Sequence, residues 1–191
     1  PMWIEVILTP RDCTDFVASI TPMSLELGSP ERLLVIGRPE SIELVPEKGL
    51  RLRTASHVIW SVAGLRLPIH ARVASLLLQP TVEQRNGRDA LIVRVRVEKL
   101  DVSVLPDFMD VTVLHRINDM LGKHDDSLVW RFSDLLDRKL RLPKRIESAE
   151  AVELHTRWGK LKVTEGGVAL AISLDARALK PGALPAADAA E

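Results

Sequence analysis

The chain has 191 residues, 46% hydrophobic and 27% charged, with 26 basic and 26 acidic side chains and a single cysteine. That is the composition of one globular domain, which at this length buries roughly 70% of its unfolded surface and folds without covalent staples. A disulfide scaffold and a Cys/His zinc cluster are excluded because Cys13 stands alone and the five histidines are scattered, and zero net charge removes any global attraction to nucleic acid. No run approaches the ~18 consecutive apolar residues of a membrane-spanning helix. The opening Pro1–Val6 lacks the basic-then-apolar pattern of a signal peptide, so a cytoplasmic protein is expected, or a periplasmic one if the chain is a processed fragment.

Trp3 to Leu8 alternates weakly, and Thr9-Pro10 supplies an N-cap and first-turn proline for a short helix ending near Ile20. Extended runs follow at Ser24–Leu27, Arg32–Ile36 and Ser41–Val45, with turns expected at Gly28-Ser29-Pro30 and Gly37-Arg38-Pro39. Another covers Leu50 to Val62. The strongest signal comes next: Leu91, Val93, Val95 and Val97 alternate with Ile92, Arg94, Arg96 and Glu98, and Asn86-Gly87 precedes them. Asn-Gly tolerates positive φ at both positions, so Ile69–Gln79 and Ala90–Val102 are predicted to form a long hairpin.

After Leu105-Pro106 the period changes. Phe108, Val111, Leu114, Asn118 and Leu121 fall at helical spacing, with Asp107 and Asp110 near the positive end of the helix dipole and Gly122 as a C-terminal stop. Asp125-Asp126-Ser127 caps a second helical stretch in which Leu128, Phe132, Leu135 or Leu136, and Leu140 share a face, although its first turn also reads as extended; Pro143 ends it. Strands return at Ala151–Trp158, Lys160–Thr164 and Val168–Leu174, with turns at Trp158-Gly159-Lys160 and Glu165-Gly166-Gly167. Residues 181–191, rich in Ala, Pro and acid, read as a disordered tail. Strands, then helices, then strands give an α+β pattern with antiparallel sheet rather than a parallel nucleotide-binding fold.

No motif supplies a reaction. His57, His70 and His155 sit in predicted strands and read as surface residues. His115 and His124 are nine apart, which fits no common metal pair, and Asp107 and Asp110 are explained by helix electrostatics. Cys13 has no Cys-x-x-Cys partner and reads as a small core residue. The basic stripes Arg51-Leu-Arg53, Arg94-Val-Arg96 and Lys139-Leu-Arg141 are diluted by acid, and few aromatics accompany them, so nucleic acid is not expected. What remains is apolar: Val58-Ile59-Trp60, Ala74–Leu78 and Ala90–Val93 carry aliphatics beyond one-face alternation. Such runs read either as a central strand covered on both sides or as a curved sheet that leaves a groove for a hydrophobic ligand or a partner.

The runs IELVPEKGLRL (Ile42–Leu52) and VIWSVAGLRLPI (Val58–Ile69), the proline-led LPDFMD (Leu105–Asp110) with INDML (Ile117–Leu121), and LVWRF (Leu128–Phe132), Leu142-Pro143, GKLKVT (Gly159–Thr164) and VAL (Val168–Leu170) resemble bacterial domains of the tubular lipid-binding (TULIP) superfamily, which includes BPI-like and SMP-like domains. The likeness covers roughly residues 22–178. It implies a strongly twisted antiparallel sheet wrapped around a long helix, with a second shorter helix, over a single domain spanning residues 1–180. It also implies acyl chains held in an apolar groove, and with no catalytic or metal-ligand motif in the sequence a non-enzymatic protein without cofactor or metal is expected.

The residues expected to line the groove are Val111, Leu114, Ile117 and Leu121 on the helix and Trp60, Leu76, Leu78 and Ile92 on strands; as simple core they need no ligand. The expected partner is a lipid or other hydrophobic small molecule, with transient membrane contact but no integral segment. Each methylene buried contributes ~0.8 kcal/mol, so a chain of about a dozen carbons needs no charged anchor. The other open readings are a protein-interaction module, dimerising or docking a partner through the same surface, and an enzyme using His115 with Asp107 or Asp110.

Overall fold

The computed structural model describes residues 2–62, 65–102, 107–123, 128–143 and 149–180, together with the side chains of most of them. Among these, the chain runs β1 (Met2–Leu8), α1 (Pro10–Ile20), β2 (Met23–Ser29), β3 (Arg32–Val45), β4 (Gly49–Val62), β5 (Leu65–Arg85), β6 (Arg88–Val102) and α2 (Asp107–Lys123). It continues through β7 (Val129–Arg131), α3 (Phe132–Leu136), β8 (Arg138–Arg141), β9 (Ala151–Thr164) and β10 (Gly167–Leu179). The strands form two antiparallel sheets, ordered β1-β10-β9-β8 and β2-β3-β4-β5-β6-β7. The expected antiparallel-sheet-rich pattern with few helices is thus what the structure shows.

Local chemistry explains the elements read from sequence. Thr9 and Asp12 form a reciprocal capping box, with the Asp12 amide donating to Thr9 Oγ1 and the Thr9 amide donating to Asp12 Oδ2 at 2.9 Å, and Pro10 occupies the first turn of α1. Asn86 and Gly87 both take positive φ, 52° and 77°, and close the hairpin in which β5 pairs with β6 from Arg85↔Arg88 to Ala71↔Val102.

Cross-strand register then stacks the apolar positions in rows. Ile42, Leu52, Leu76 and Val97 are successive partners across β3 to β6, as are Leu44, Leu50, Leu78 and Val95. Pleat alternation puts both rows on one face, where Leu52, Leu76 and Val97 are fully buried. The opposite face carries Glu43, Arg51 and Glu98, with the Arg51 Nε donating to Glu98 at 2.6 Å.

Four expectations are corrected. The extended runs Arg32–Ile36 and Ser41–Val45 are one strand, β3, whose register against β4 shifts near Pro39. Gly37 is not a turn residue: a Cβ there would lie 2.3 Å from the Ala55 carbonyl oxygen, so the glycine permits a close approach of two strands. The same holds at Trp158-Gly159-Lys160, which is strand rather than turn. β9 runs unbroken through Gly159 because the Phe132 ring occupies the space where a Cβ would stand, at 2.6 Å.

Third, the helix expected from Leu128 to Leu140 is a strand, one helical turn and a strand. β7 pairs with Ala90–Ile92 of β6 and β8 with β9, so edge pairing overrides the helical periodicity. The proposed C-terminal stop at Gly122 lies inside α2, which continues to Lys123. Asp125, Asp126 and the 181–191 tail lie outside the described residues.

The six-stranded sheet curls so that α2 touches β6 and also β2, at the sheet's other end. Ile117 and Leu121 of α2 join the main core with Leu27, Leu34, Ile36 and Leu76. The second sheet meets the first through β9 and α1: the Gly159 amide donates to Asp89 at 2.9 Å, and Phe132 packs with Ile172 and Leu174.

Candidate functional site: an apolar pocket between the sheets

The pocket lies where α1 and the four-stranded sheet face the six-stranded one, and its volume is about 150 Å³. β1 contributes Val6 and Leu8, α1 Cys13, Phe16 and Val17, and β9 and β10 Leu161, Val168 and Leu170. The facing wall is Leu50, Leu78, Pro80, Leu91 and Val93. Alternation produces that wall, because Leu78, Pro80, Leu91 and Val93 are cross-strand neighbours on the same face of β5 and β6.

Every lining side chain is apolar except the Cys13 thiol. Cys13 is buried, its Sγ lies 3.9 Å from the Leu8 carbonyl oxygen, and burial holds its pKa above the ordinary thiol value, so the group stays neutral. The pocket therefore holds no charge and offers almost no hydrogen bonding. A dry apolar cavity of roughly this size accepts benzene, which makes the space equivalent to about six carbons. It is open toward solvent past Val6 and Phe16, which are 46% and 53% exposed.

The residues read from sequence are distributed unevenly around it. Leu78 lines the pocket. Leu76, Ile117 and Leu121 are buried in the core, whereas Leu114 is half-buried at the cleft between α2 and β6, and Val111 is 57% exposed. Ile92 is fully buried, but it pairs with Thr81 and so points to the face opposite Leu91 and Val93. The Trp60 side chain lies outside the described residues. Sequence reasoning missed the α1 and β1 contributions. Their signal was the spacing Cys13, Phe16, Val17 behind a capped N-terminus, which turns one face of α1 toward Leu8 and Val168.

Along α2 the geometry is that of a fastening. The Asn118 side-chain amide reads the free edge of β6 as a strand would: its Oδ1 accepts from the Val97 amide and its Nδ2 donates to the Val97 carbonyl, each at 2.8 Å. Further along that edge the Val93 amide donates to the Leu128 carbonyl at 3.0 Å.

Among the described residues the histidines assemble no acid–base pair with a nucleophile. His57 and His70 are cross-strand partners with ring centroids 5.3 Å apart, and His155 Nε2 lies 3.2 Å from Glu153. His115 is exposed on α2, while the side chains of Asp107 and Asp110, and all of His124, lie outside the described residues. Among the described residues no three His, Cys, Asp or Glu side chains are grouped to hold a metal ion, and no helix is long and apolar enough to cross a membrane. No protein-family model matches the chain, and neither a curated protein nor a solved structure does.

Proposed function

We propose that the chain binds a hydrophobic ligand, an acyl chain or similar molecule, without catalysing a reaction, and that its curled sheet wraps α2 in the manner of the tubular lipid-binding domains it resembles. The observation that carries the binding is the pocket between α1, β1, β10 and the β5–β6 hairpin, with its uncharged lining and open mouth. Support for the wrapped sheet is the contact of α2 with both β6 and β2.

The ligand's driving force is removal of methylenes from water. About six carbons at ~0.8 kcal/mol each give on the order of 5 kcal/mol before association costs, enough to hold the end of a chain. This moves the proposed groove from the α2 side, where Ile117 and Leu121 are already consumed by the core, to the α1 side.

Native mass spectrometry of the freshly purified chain, paired with organic extraction, tests the reading. A mass increment matching an extracted acyl species, lost in Leu161→Trp, is expected, because the indole fills the pocket from its half-buried wall. An unmodified mass with no extractable ligand, and no uptake of added decanoic acid, would refute it.

A further inference from the structure

We propose that β1 is a self-pairing edge: two copies of the chain join antiparallel through Met2–Val6 about a two-fold axis at Ile4, merging their four-stranded sheets into one. β1 ends the order β1-β10-β9-β8, so among the described residues one side of its backbone faces no strand. Natural sheets protect such an edge with lysines, prolines or bulges. β1 has none of these. From Met2 to Leu8 it pairs with β10 without a register shift, and its only charge is Glu5.

Its side chains are apolar on both faces and unusually exposed. Met2, Trp3, Ile4, Val6 and Ile7 show between 36% and 62% of their surface, and Phe16 and Ile20 of the adjoining α1 show 53% and 40%. Trp3 stands edge-on to Trp158 at 4.4 Å between centroids, so the outer face is a fixed aromatic step rather than a loose chain. Taking ~150–250 Å² as the full area of a large side chain, these seven expose on the order of 600 Å², close to the ~800 Å² each partner contributes to a stable interface.

Unpaired strand backbone is recognised by another strand, and closed two-fold pairing is the commonest way for identical chains to supply one. The charge fixes the register. An axis at Glu5 would set two carboxylates directly opposite each other, which is unfavourable. An axis at Ile4 avoids this, placing Ile4 against its own copy, Met2 against the partner's Val6, and Trp3 against the partner's Glu5. Apolar groups then meet on the inner face, and each carboxylate lies beside an indole.

Sedimentation equilibrium of the pure chain at micromolar concentration tests the pairing. Twice the chain mass is expected for the wild type and the single-chain mass for Ile4→Lys, with circular dichroism unchanged. Ile4→Cys provides the check that survives a misfolded lysine variant. Directly opposed residues in an antiparallel pair have Cα atoms ~4.5–5.5 Å apart, within disulfide reach, so Ile4→Cys should oxidise to a covalent dimer while Ile7→Cys stays uncrosslinked. A single-chain mass for the wild type, as a foreign strand partner would require, overturns the proposal. So does equal crosslinking of the two cysteine variants.

Discussion

The two sides of the six-stranded sheet's inner face are built from the same aliphatic alternation and finish differently. Toward α2, Ile117 and Leu121 close over Leu76 and Val97, and Asn118 fastens the helix to the β6 edge by two hydrogen bonds. Toward α1, Leu78, Pro80, Leu91 and Val93 face Val6, Leu8, Phe16 and Leu170 across unfilled space. The α2 helix brings a side chain that satisfies exposed backbone, whereas α1 and β1 face the pocket with apolar groups and the Cys13 thiol, several of them half in water. Whether an apolar row becomes sealed core or open pocket is thus decided by what the covering element can bond to, not by the row itself.

That contrast can be broken by mutation. The largest effect is expected for Leu76→Ala, which should lose ~2–5 kcal/mol in urea unfolding, because Leu76 is fully buried on the sealed side. Val6→Ala on the open side should stay within ~0.5 kcal/mol while weakening ligand uptake, because Val6 is already 46% exposed. Comparable losses for the two would mean that the pocket is as tightly packed as the core.

Asn118→Ala should come next, at ~1–3 kcal/mol, since it strands the Val97 amide and carbonyl together; amide hydrogen exchange at Val97 should accelerate with it. Unchanged exchange there would show that the helix is not held by this contact.

Smaller still is the acid response of the sheet's outer face. Hydrogen bonding from Arg51, then its charge, holds the Glu98 carboxyl below the usual carboxylate range, and Arg94 does the same for Glu83. A carboxylate favoured in the folded state stabilises above its unfolded pKa, and that contribution disappears as pH falls through its depressed folded value. Glu98→Gln should therefore lose that increment of stability at neutral pH and converge on the wild type at low pH, which flattens the acid limb of the stability profile. The difference should stay below about 1 kcal/mol, because such part-exposed pairs are worth little.

Much of this was legible in the sequence where the determinants are local. Thr9-Pro10 announced α1 and Asn86-Gly87 announced the hairpin, since each depends on a few adjacent residues and the backbone angles they permit. Gly37 and Gly159 misled for the opposite reason. A glycine beside Pro39 or Trp158 looks like a turn, yet each is needed because something distant in sequence, the Ala55 carbonyl or the Phe132 ring, occupies the missing Cβ position. Leu128 to Leu140 carried a helical stripe, but free edges of β6 and β9 supplied backbone partners that the stripe does not encode. The pocket failed similarly: Leu78 was identified from its strand, whereas Val6, Phe16 and Leu170 become one surface only after β10 pairs with β1 and α1 folds over them.

The most direct test of the central claim is the affinity of a series of linear alcohols, from butanol to decanol, measured by titration calorimetry on the wild type and on Leu161→Trp. An apolar pocket for about six carbons predicts a gain of roughly fourfold per added methylene up to that length, a plateau beyond it, and loss of the trend in the filled variant. Non-saturable uptake, or the same ladder in both proteins, would contradict a binding function for the pocket between α1 and the β5–β6 hairpin.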